Sequence, residues 1–318
     1  MSFLSPVPPP RHAVVDLGSN SVRLVVFEGE GRNPTAIFNE KAVLRLGRGL
    51  QETGRLNETA MGQALLVLNR YHALARAMGV ASFEVLATAA VRDAANGPGF
   101  VAEIAARLPD MQVRVLSGAE EAALSAEGVL CGIPGADGIL ADIGGGSLEM
   151  VRLAAGRAVR AETLRLGVIR LAERSGGDLI RARAVAEPEL ASLNWLGEGA
   201  GRDLYAVGGA FRALARIHIE QTGYPLKIVH HYTVAREEAR DLAGLIAAAP
   251  RRTLERMPGV PRRRLEDLPY AALVLRRVLR ATSARRVVFS ANGLREGWYM
   301  GRLGPPETGG HHGHADFR

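Results

Sequence analysis

The chain carries the same short sequence pattern twice, once near its beginning and once near its middle. The first copy, Val14 to Val25, contains Asp-Leu-Gly-Ser-Asn-Ser, and the second, Leu140 to Val151, contains Asp-Ile-Gly-Gly-Gly-Ser. In each copy an apolar run ends in an aspartate, a turn of small residues follows and a second apolar stretch returns, which is typical of a β-hairpin. The repeat therefore predicts a chain built as two related halves.

The turns of both hairpins are suited to anions. Gly, Ser and Asn leave backbone N–H groups uncovered, and consecutive N–H groups form a concave site for a phosphate. An adjacent carboxylate, Asp16 in the first copy or Asp142 in the second, can hold a metal ion that neutralises the same anion. Two such turns, one in each half, indicate a phosphate-rich ligand held between the halves.

The length of the chain and the segments between the motifs support two domains. At 318 residues the chain exceeds what one hydrophobic core usually fills. Strand and helix patterns follow each hairpin, which predicts an α/β fold in both halves. Segment 132–138, with its Gly and Pro residues, is the best boundary candidate. We therefore expect domains at 11–131 and 132–303 and a disordered, solvated tail at 304–318.

Apolar periodicity and capping signals locate the individual elements. They predict strands at 83–87, 113–116, 204–207 and 286–290, a strand pair over 35–46, and helices at 57–78, 99–108, 118–131, 168–174, 210–220, 234–248, 268–281 and 293–299.

Composition and charge exclude several classes of protein. No apolar run approaches the ~20 residues of a membrane span, the first ten residues lack the features of a signal peptide, and Cys131 is the only cysteine. These features predict a cytoplasmic protein with no intrachain disulfide and no membrane partner. The net charge of +7 suits a polyanionic ligand. An aromatic content of 5% and the lack of a known binding motif argue against nucleic acid.

Two adjacent glutamates open the helix predicted at 118–131. Ser117 and Glu120 fit the S-x-x-E capping box, so the Glu120 carboxylate is occupied at the helix end. Glu121 lies about 100° further around the helix and has no capping task. Its position alone favours an ordinary first-turn glutamate that stabilises the helix dipole. At the base of a cleft, however, the same carboxylate is a candidate general base for water.

A second acidic pair flanks the second turn. Asp142 and Glu149 lie on the two strands of the hairpin, which brings both carboxylates to the same end of the cleft. Two carboxylates suit Mg²⁺, which prefers hard oxygen ligands and keeps some of its water. In the first repeat Arg23 takes the place of Glu149. For either residue taken singly, a solvent-facing strand position is an equally good interpretation.

Loops after two further strands are candidate phosphate contacts. Arg92 follows strand 83–87, at the sheet edge where α/β proteins usually bind ligands. Gly208 and Gly209 follow strand 204–207 and open a helix, whose bare N–H groups favour an anion. A surface arginine and a packing requirement for glycine are the ordinary alternatives.

Taken in order along the chain, these motifs resemble those of the exopolyphosphatase and guanosine pentaphosphate phosphohydrolase family. The resemblance rests on the two Asp-Gly turns and on five further segments: Ala87 to Ala94, Ser117 to Ala122, Leu166-Gly167, Val207 to Gly209 and Asn292 to Gly297. It implies an α/β protein of two actin-like domains, of the ASKHA, ribonuclease H-like type, with a cleft between them.

The resemblance also implies roles for single residues. Glu121 matches the proposed catalytic base of the family, and Asp142 and Glu149 match positions associated with Mg²⁺. Residues matching the phosphate path are Ser19, Asn20, Ser21, Arg92, Gly144, Gly145, Gly146 and Ser147, and further nucleotide or phosphate contacts are expected from Arg23, Gly208, Gly209 and Arg264.

These matches imply a phosphoric anhydride hydrolase. Water activated by Glu121 would attack the terminal phosphate of inorganic polyphosphate with help from Mg²⁺. The alternative substrate is guanosine pentaphosphate (pppGpp), which the same attack converts into the tetraphosphate ppGpp. The chain departs from the family pattern at Ala210, where a threonine is common. It also stops after two domains, and the lack of an HD-type helical domain predicts weaker processivity on long polyphosphate. Both a monomer and a homodimer agree with the sequence.

Two other classes of protein stay open at this point. A small-molecule kinase of the same fold would also have a phosphate loop in each half, although no acidic set for binding a sugar is present. A non-catalytic sensor of polyphosphate or of an alarmone would bind in the same cleft. The retained acids Glu121, Asp142 and Glu149 favour catalysis over sensing.

Overall fold

A computed structural model describes residues 9–32 and 35–303. The beginning of the chain and the tail at 304–318, for which disorder is predicted, lie outside the described residues. Among the residues that are described, no helix is both long enough and apolar enough to cross a lipid bilayer.

The first half contains a five-stranded mixed sheet and the helices around it. Its strands are β1 (Arg11–Leu17), β2 (Ser21–Glu28), β3 (Thr35–Val43), β4 (Ser82–Ala87) and β5 (Gln112–Val115), and its helices are α1 (Leu50–Thr53), α2 (Glu58–Ala77), α3 (Ala89–Asp93), α4 (Gly97–Arg107) and α5 (Gly118–Gly132). The strands lie in the order β3-β2-β1-β4-β5.

The second half contains a six-stranded sheet. Its strands are β6 (Gly138–Ile143), β7 (Leu148–Ala154), β8 (Arg157–Leu164), β9 (Asp203–Val207), β10 (Thr233–Ala235) and β11 (Arg286–Phe289), in the order β10-β11-β9-β6-β7-β8. The helices are α6 (Val168–Arg174), α7 (Leu179–Ala191), α8 (Gly209–Thr222), α9 (Arg236–Ala248), α10 (Arg251–Arg256), α11 (Leu268–Thr282) and α12 (Leu294–Arg302), with 3-10 turns at Leu196–Gly199 and Arg262–Arg264.

The two sheets share one topology. In each half the central strand, β1 or β6, pairs antiparallel with the strand that follows it and parallel with a later one, β4 or β9. The row β3-β2-β1-β4-β5 thus corresponds to β8-β7-β6-β9-β11. The repeat seen in the sequence is therefore a repeat of structure, and the predicted α/β architecture is confirmed.

The central strands are buried on both faces, which explains why they are nearly continuous apolar runs. Val15 and Leu17 of β1 belong to one core cluster with Leu68 of α2 and Ile104 of α4, whereas Val14 belongs to a second cluster on the opposite face. After these apolar runs, the next charged side chains are Asp16 of β1 and Asp142 of β6, which lie near the carboxyl ends of the strands.

Two helices connect the halves. Helix α5 packs on the second sheet through a cluster that includes Ala126 and Leu140. Helix α12 returns to the first half, where Trp298 is buried, and it lies directly on α5, since a Cβ at Gly297 would stand 1.8 Å from the Leu124 carbonyl oxygen. The domain boundary at residue 132 stays a prediction, and α5 and α12 pack across it.

The structure differs from the predicted elements in one strand pair and in several elements that the sequence pattern does not predict. Residues 35–46 are predicted as a strand pair but form one strand, β3, because β3 pairs with β2 and the chain then turns at Arg45, whose φ is 52°. The sequence pattern does not predict α7, whose buried positions are mostly alanine and which contains Pro188. It also misses strand β8 and the short elements β10, α1, α3 and α10.

Candidate active site

The two hairpin turns face each other at the carboxyl ends of β1 and β6. Glycines of the second turn lie against Ser19 of the first turn: a Cβ at Gly146 would stand 2.6 Å from Ser19 Oγ and 2.9 Å from the Cβ of Ala89, and a Cβ at Gly145 would stand 3.0 Å from the Cβ of Ser19. Glycine is the residue that allows so close an approach. The turns therefore meet across a narrow cleft.

The cleft encloses a cavity of about 130 Å³. Apart from Arg92, the site residues named from the sequence all line it: Ser19, Asn20, Ser21, Arg23, Glu121, Asp142, Gly144, Gly145, Gly146, Ser147, Glu149, Gly208, Gly209 and Arg264. The fold thus brings together residues from both halves of the chain. Their individual roles stay predictions.

Glu121 enters the cleft from the first turn of α5. The predicted capping box is present, because the Glu120 N–H donates to Ser117 Oγ over 3.2 Å and the Ser117 N–H donates to Glu120 Oε2 over 2.8 Å. Glu121 is buried, and its Oε2 accepts a hydrogen bond of 2.9 Å from Nη1 of Arg92. Arg92 therefore contacts the proposed base directly.

The environments of the two adjacent glutamates differ. Burial raises the pKa of Glu121 to about 7; Arg92 opposes this rise, and the carboxylates of Asp142 and Asp16 add to it. The hydrogen bonds from Ser117 instead lower the pKa of the exposed Glu120. A carboxyl group whose pKa is near neutrality can accept a proton at physiological pH. Of the two, Glu121 is the one suited to act as a base.

The acids of the second hairpin stand side by side. Asp142 and Glu149 are directly opposite in the β6–β7 ladder, so their side chains leave the sheet on the same face. Burial raises the pKa of both, and for Glu149 the charges of Glu121 and Asp142 add to the rise. Asp142 Oδ2 accepts a hydrogen bond of 2.5 Å from Ser125 Oγ on α5.

A divalent cation fits this pair of acids. Oε1 of Glu149 is buried and has no hydrogen-bond partner among the described residues, and the neighbouring carboxylates repel one another. Mg²⁺ is usually held by one or two carboxylates, with phosphate oxygens and water at its other positions. In the part of the chain that the structure describes, no group of three or more His, Cys, Asp or Glu side chains is arranged to hold a metal ion, so the fit rests on this pair of acids.

Three cations that the sequence analysis does not single out also line the cavity: Lys41, Arg212 and Arg295. Lys41 pairs directly with Arg23 in the β2–β3 ladder. Nη1 of Arg295 lies 3.7 Å from Asp16 Oδ2. The second hairpin thus gives the cavity two acids, Asp142 and Glu149, whereas the cations that line it come from both halves of the chain.

The basic side chains are themselves partly withdrawn from water. Burial lowers the pKa of Lys41 to about 7, and the charges of Arg264 and Arg23 lower it further. Burial also lowers the pKa of Arg212 to about 10. An anion that binds between these side chains favours their charged forms.

A second, larger cavity of about 400 Å³ continues from the first, and we call it the basic cavity. It shares Arg23, Lys41, Gly209, Arg212 and Arg264 with the first cavity and adds Arg216, Lys227, His230 and Arg263, together with Ala213, Ile228, Val229, Pro261 and Ala291. Among the described residues that line it there is no Asp or Glu. Such a surface attracts a chain of negative charges.

Hydrogen bonds between the halves hold the cleft together. Nδ2 of Asn20 donates to Asp267 Oδ2 over 3.0 Å, and Nη1 of Arg264 donates to the same oxygen over 2.8 Å. The N–H of Gly49 donates to Glu173 Oε1 over 2.6 Å. The side chains of Asn20 and Arg264 are therefore fixed at the cavity wall by Asp267.

Two related α/β halves, each with a turn of small residues at a shared cleft lined by acids, define a protein of actin-like fold. The chain belongs to the Ppx/GppA phosphatase family, whose sequence model matches residues 24–304.

Curated relatives carry both of the names that the resemblance implies. Exopolyphosphatase 2 of Mycobacterium tuberculosis is 34% identical over 174 residues, 52% of this chain and 54% of that protein, so the chain spans about half the length of this relative. Exopolyphosphatase 1 of Mycobacterium bovis is 29% identical over 308 residues, 92% of this chain and 88% of that one. A guanosine-5'-triphosphate,3'-diphosphate pyrophosphatase of Aeromonas hydrophila is 25% identical over 304 residues, 93% of this chain and 60% of that one.

Solved structures show the same fold. An exopolyphosphatase from Cytophaga hutchinsonii superposes with a TM-score of 0.82 at 24% identity, covering 92% of this chain and 97% of that one. The Ppx/GppA family member from Aquifex aeolicus superposes with a TM-score of 0.77 at 24% identity, covering 93% and 98%. The predicted actin-like fold and family are confirmed.

Proposed function

We propose that this chain is an exopolyphosphatase that removes the terminal phosphate of inorganic polyphosphate. The observation that carries the proposal is Glu121, a buried carboxylate in the cleft that accepts a hydrogen bond of 2.9 Å from Arg92 and whose pKa burial raises to about 7. It faces a cavity bounded by two anion-binding turns. A base of this strength beside a phosphate site suits the activation of water.

In the proposed reaction the terminal phosphate lies between the turns, where the N–H groups of Gly145, Gly146 and Ser147 can bind it together with the hydroxyl of Ser19. Water transfers a proton to Glu121 while its oxygen bonds to the terminal phosphorus. The bond from that phosphorus to the bridging oxygen breaks, and the shortened chain leaves with the electron pair. Arginines around the cleft stabilise the charge that develops on the oxygens.

Asp142 and Glu149 are proposed to hold Mg²⁺ beside the transferred phosphate. Both line the cavity, and Glu149 Oε1 has no hydrogen-bond partner among the described residues. When bound, Mg²⁺ neutralises charge on the phosphate oxygens. The hydrogen bond of 2.5 Å from Ser125 to Asp142 Oδ2 fixes the orientation of that carboxylate.

The basic cavity supports polyphosphate as the substrate. Polyphosphate presents a negative charge at each unit and no base or sugar to recognise, so a row of cations is sufficient to bind it. Arg23, Lys41, Arg212 and Arg264 lie where the two cavities join. A chain whose end lies at Glu121 would therefore continue past these four residues into the basic cavity.

One observation favours pppGpp as a second candidate substrate. Ile228, Val229 and Pro261 line the basic cavity beside its cations, and Ile228 is exposed. Apolar side chains next to arginines suit a nucleotide whose base packs on the apolar surface while its phosphates pair with the cations. The same attack at its 5' end would yield ppGpp.

Phosphate release from long polyphosphate, tripolyphosphate and pppGpp, measured in parallel with Mg²⁺, tests the proposal. We expect the fastest release from polyphosphate. Ile228→Ser is the discriminating variant, because it removes only the apolar contact: it should raise KM for pppGpp and leave KM for polyphosphate unchanged. Release chiefly from pppGpp would replace the first candidate by the second, and no release from any of the three would overturn both.

A further inference from the structure

Asp93 lies between two arginines that come from different halves of the chain. Its Oδ1 accepts a hydrogen bond of 3.3 Å from Nε of Arg92, and its Oδ2 accepts one of 2.5 Å from Nη2 of Arg170. Arg92 continues through Nη1 to Glu121 Oε2 at 2.9 Å. The four side chains thus form one series of contacts, from Arg170 in the second half to Glu121 in the first.

Arg170 is almost completely buried, with 4% of its side chain exposed, whereas Asp93 and Arg92 retain 23% and 21%. A buried guanidinium requires a compensating charge close by, and Asp93 provides it. The contact between Asp93 and Arg170 is therefore held in place by burial, unlike a surface ion pair whose partners can separate at little cost.

Arg170 is in turn attached to the second phosphate-binding turn. It lies in the first turn of α6, where the N–H of Val168 donates to the Gly144 carbonyl oxygen over 3.1 Å. The N–H groups of Ile169 and Arg170 donate to the Gly145 carbonyl oxygen over 2.9 and 3.1 Å. These three hydrogen bonds thus fix the backbone of Arg170 relative to that turn.

The guanidinium of Arg92 is held at two edges. Nη1 donates to the Leu116 carbonyl oxygen as well as to Glu121, each over 2.9 Å, while Nε is turned toward Asp93. Because the guanidinium is planar and rigid, contacts at these two edges fix its plane. Without Asp93, one edge would be released and Arg92 could rotate away from Glu121.

We propose that Asp93 and Arg170 are positioning residues: Asp93, held by Arg170, orients Arg92 against Glu121, so that the proposed base is aligned only when the second phosphate-binding turn is packed against the first half. This inference rests on the proposed function, since it gives Arg92 and Glu121 their roles. Neither Asp93 nor Arg170 lines the cavity, so both act through Arg92.

A double-mutant cycle tests the proposal. Asp93→Asn offers only one acceptor oxygen to two arginines, and we expect it to lower kcat on tripolyphosphate roughly 10- to 100-fold with a smaller change in KM. Asp93→Glu, which keeps both oxygens, should recover part of the loss. In an Arg92→Gln background, Asp93→Asn should have little further effect, because the residue through which Asp93 acts is already absent.

A purely structural role predicts different behaviour. In that case Asp93→Asn would lower kcat by the same factor in both backgrounds, and the unfolding temperature would fall with it; that result would overturn the proposal. Should Asp93→Asn fail to fold, Arg170→Lys, which keeps the charge but loses the planar fork, replaces it in the cycle. Asp137→Asn is the matched control, since Asp137 pairs over 2.6 Å with the similarly buried Arg152 at the far end of β6.

Binding keeps this proposal distinct from the proposed function. A tripolyphosphate analogue with methylene bridges resists hydrolysis, and its affinity for the same proteins can be measured by calorimetry. If the wild type binds the analogue but hydrolyses no polyphosphate and no pppGpp, the proposed function is wrong. The positioning role is still supported in that case if Asp93→Asn lowers the affinity for the analogue in the wild-type background but not in the Arg92→Gln background. Equal losses in both backgrounds, or no binding by the wild type, would overturn it.

Discussion

Glu149 stands directly opposite Asp142 in the β6–β7 ladder, and its Oε1 has no hydrogen-bond partner among the described residues. Glu149 is 1% exposed, and burial together with the neighbouring Glu121 and Asp142 raises its pKa well above the ordinary value. A carboxyl group that is buried with one oxygen unpaired lowers the stability of the folded chain at this position. In the proposed function that acid is retained for Mg²⁺.

Replacing Glu149 should therefore separate stability from activity. Glu149→Gln removes the repelling charge, so we expect a higher unfolding temperature than the wild type in EDTA at pH 8. Polyphosphate hydrolysis at saturating Mg²⁺ should fall roughly 100-fold, with a weaker apparent affinity for Mg²⁺. Calorimetry in EDTA measures the unfolding temperature, and a titration of activity with Mg²⁺ measures the apparent affinity for the ion. An unchanged Mg²⁺ titration would show that Glu149 does not bind the metal.

The raised pKa values also predict how stability depends on pH. Burial raises the pKa of Glu121 from 4.5 to about 7 in the folded chain, so the folded state binds more protons than the unfolded state between these values. Stability is then present at low pH and is lost as the pH rises toward 7, by up to about 3 kcal/mol from this residue. Urea unfolding in EDTA at several pH values should show this loss, and Glu121→Gln should flatten the curve, whereas an equally steep curve for the variant would contradict the assignment.

Gly146 should be more sensitive to substitution than Gly144. A Cβ at Gly146 would stand 2.6 Å from Ser19 Oγ, whereas one at Gly144 would have no neighbour closer than 3.6 Å. Gly146→Ala pushes the two phosphate-binding turns apart, and we expect kcat/KM to fall roughly 10- to 100-fold. Gly144 also lines the cavity, but Gly144→Ala adds no close contact with the first turn, so as the matched control it should lose less activity. Equal activities of the two variants would show that contact between the turns is not needed.

Lys41 should make substrate capture depend on pH. Burial and the surrounding arginines lower its pKa to about 7, so its charge is present below that pH and is lost above it. The kcat/KM for tripolyphosphate, which reports groups of the free enzyme, should therefore decline above pH 7. Lys41→Arg retains its charge throughout and should abolish this decline. A decline of the same size in Lys41→Arg would assign it to another group.

The parts of the site that local sequence patterns specify could be predicted. Both hairpins and the Ser117–Glu120 capping box depend on neighbouring residues, and the opposition of Asp142 and Glu149 follows from the hairpin between them. Arg295 belongs to a motif already noted in the sequence, and Arg212 lies on the helix that Gly209 opens, yet nothing in their spacing shows that they reach the cavity. In a chain with 40 lysine and arginine residues, their identity alone is no signal.

The remaining features depend on contacts between distant segments. Lys41 reaches the cleft because β3 pairs with β2, a pairing that the prediction of a separate strand pair misses. The return of α12 to the first half is set by close packing on α5, where Gly297 meets the Leu124 carbonyl oxygen. The contact of Arg170 with Asp93 joins residues that are 77 positions apart in the sequence. Local sequence propensity does not predict such contacts.

In the proposed function Glu121, and not its neighbour Glu120, activates water, and single variants of the two residues distinguish them. Phosphate release from polyphosphate in saturating Mg²⁺ should be measured for the wild type, Glu121→Gln and Glu120→Gln. We expect Glu121→Gln to lose activity by roughly 100-fold or more. Glu120→Gln, which alters only the exposed capping box, should keep nearly all of the activity at a slightly lower unfolding temperature. Full turnover by Glu121→Gln would show that Glu121 is not the base that activates water.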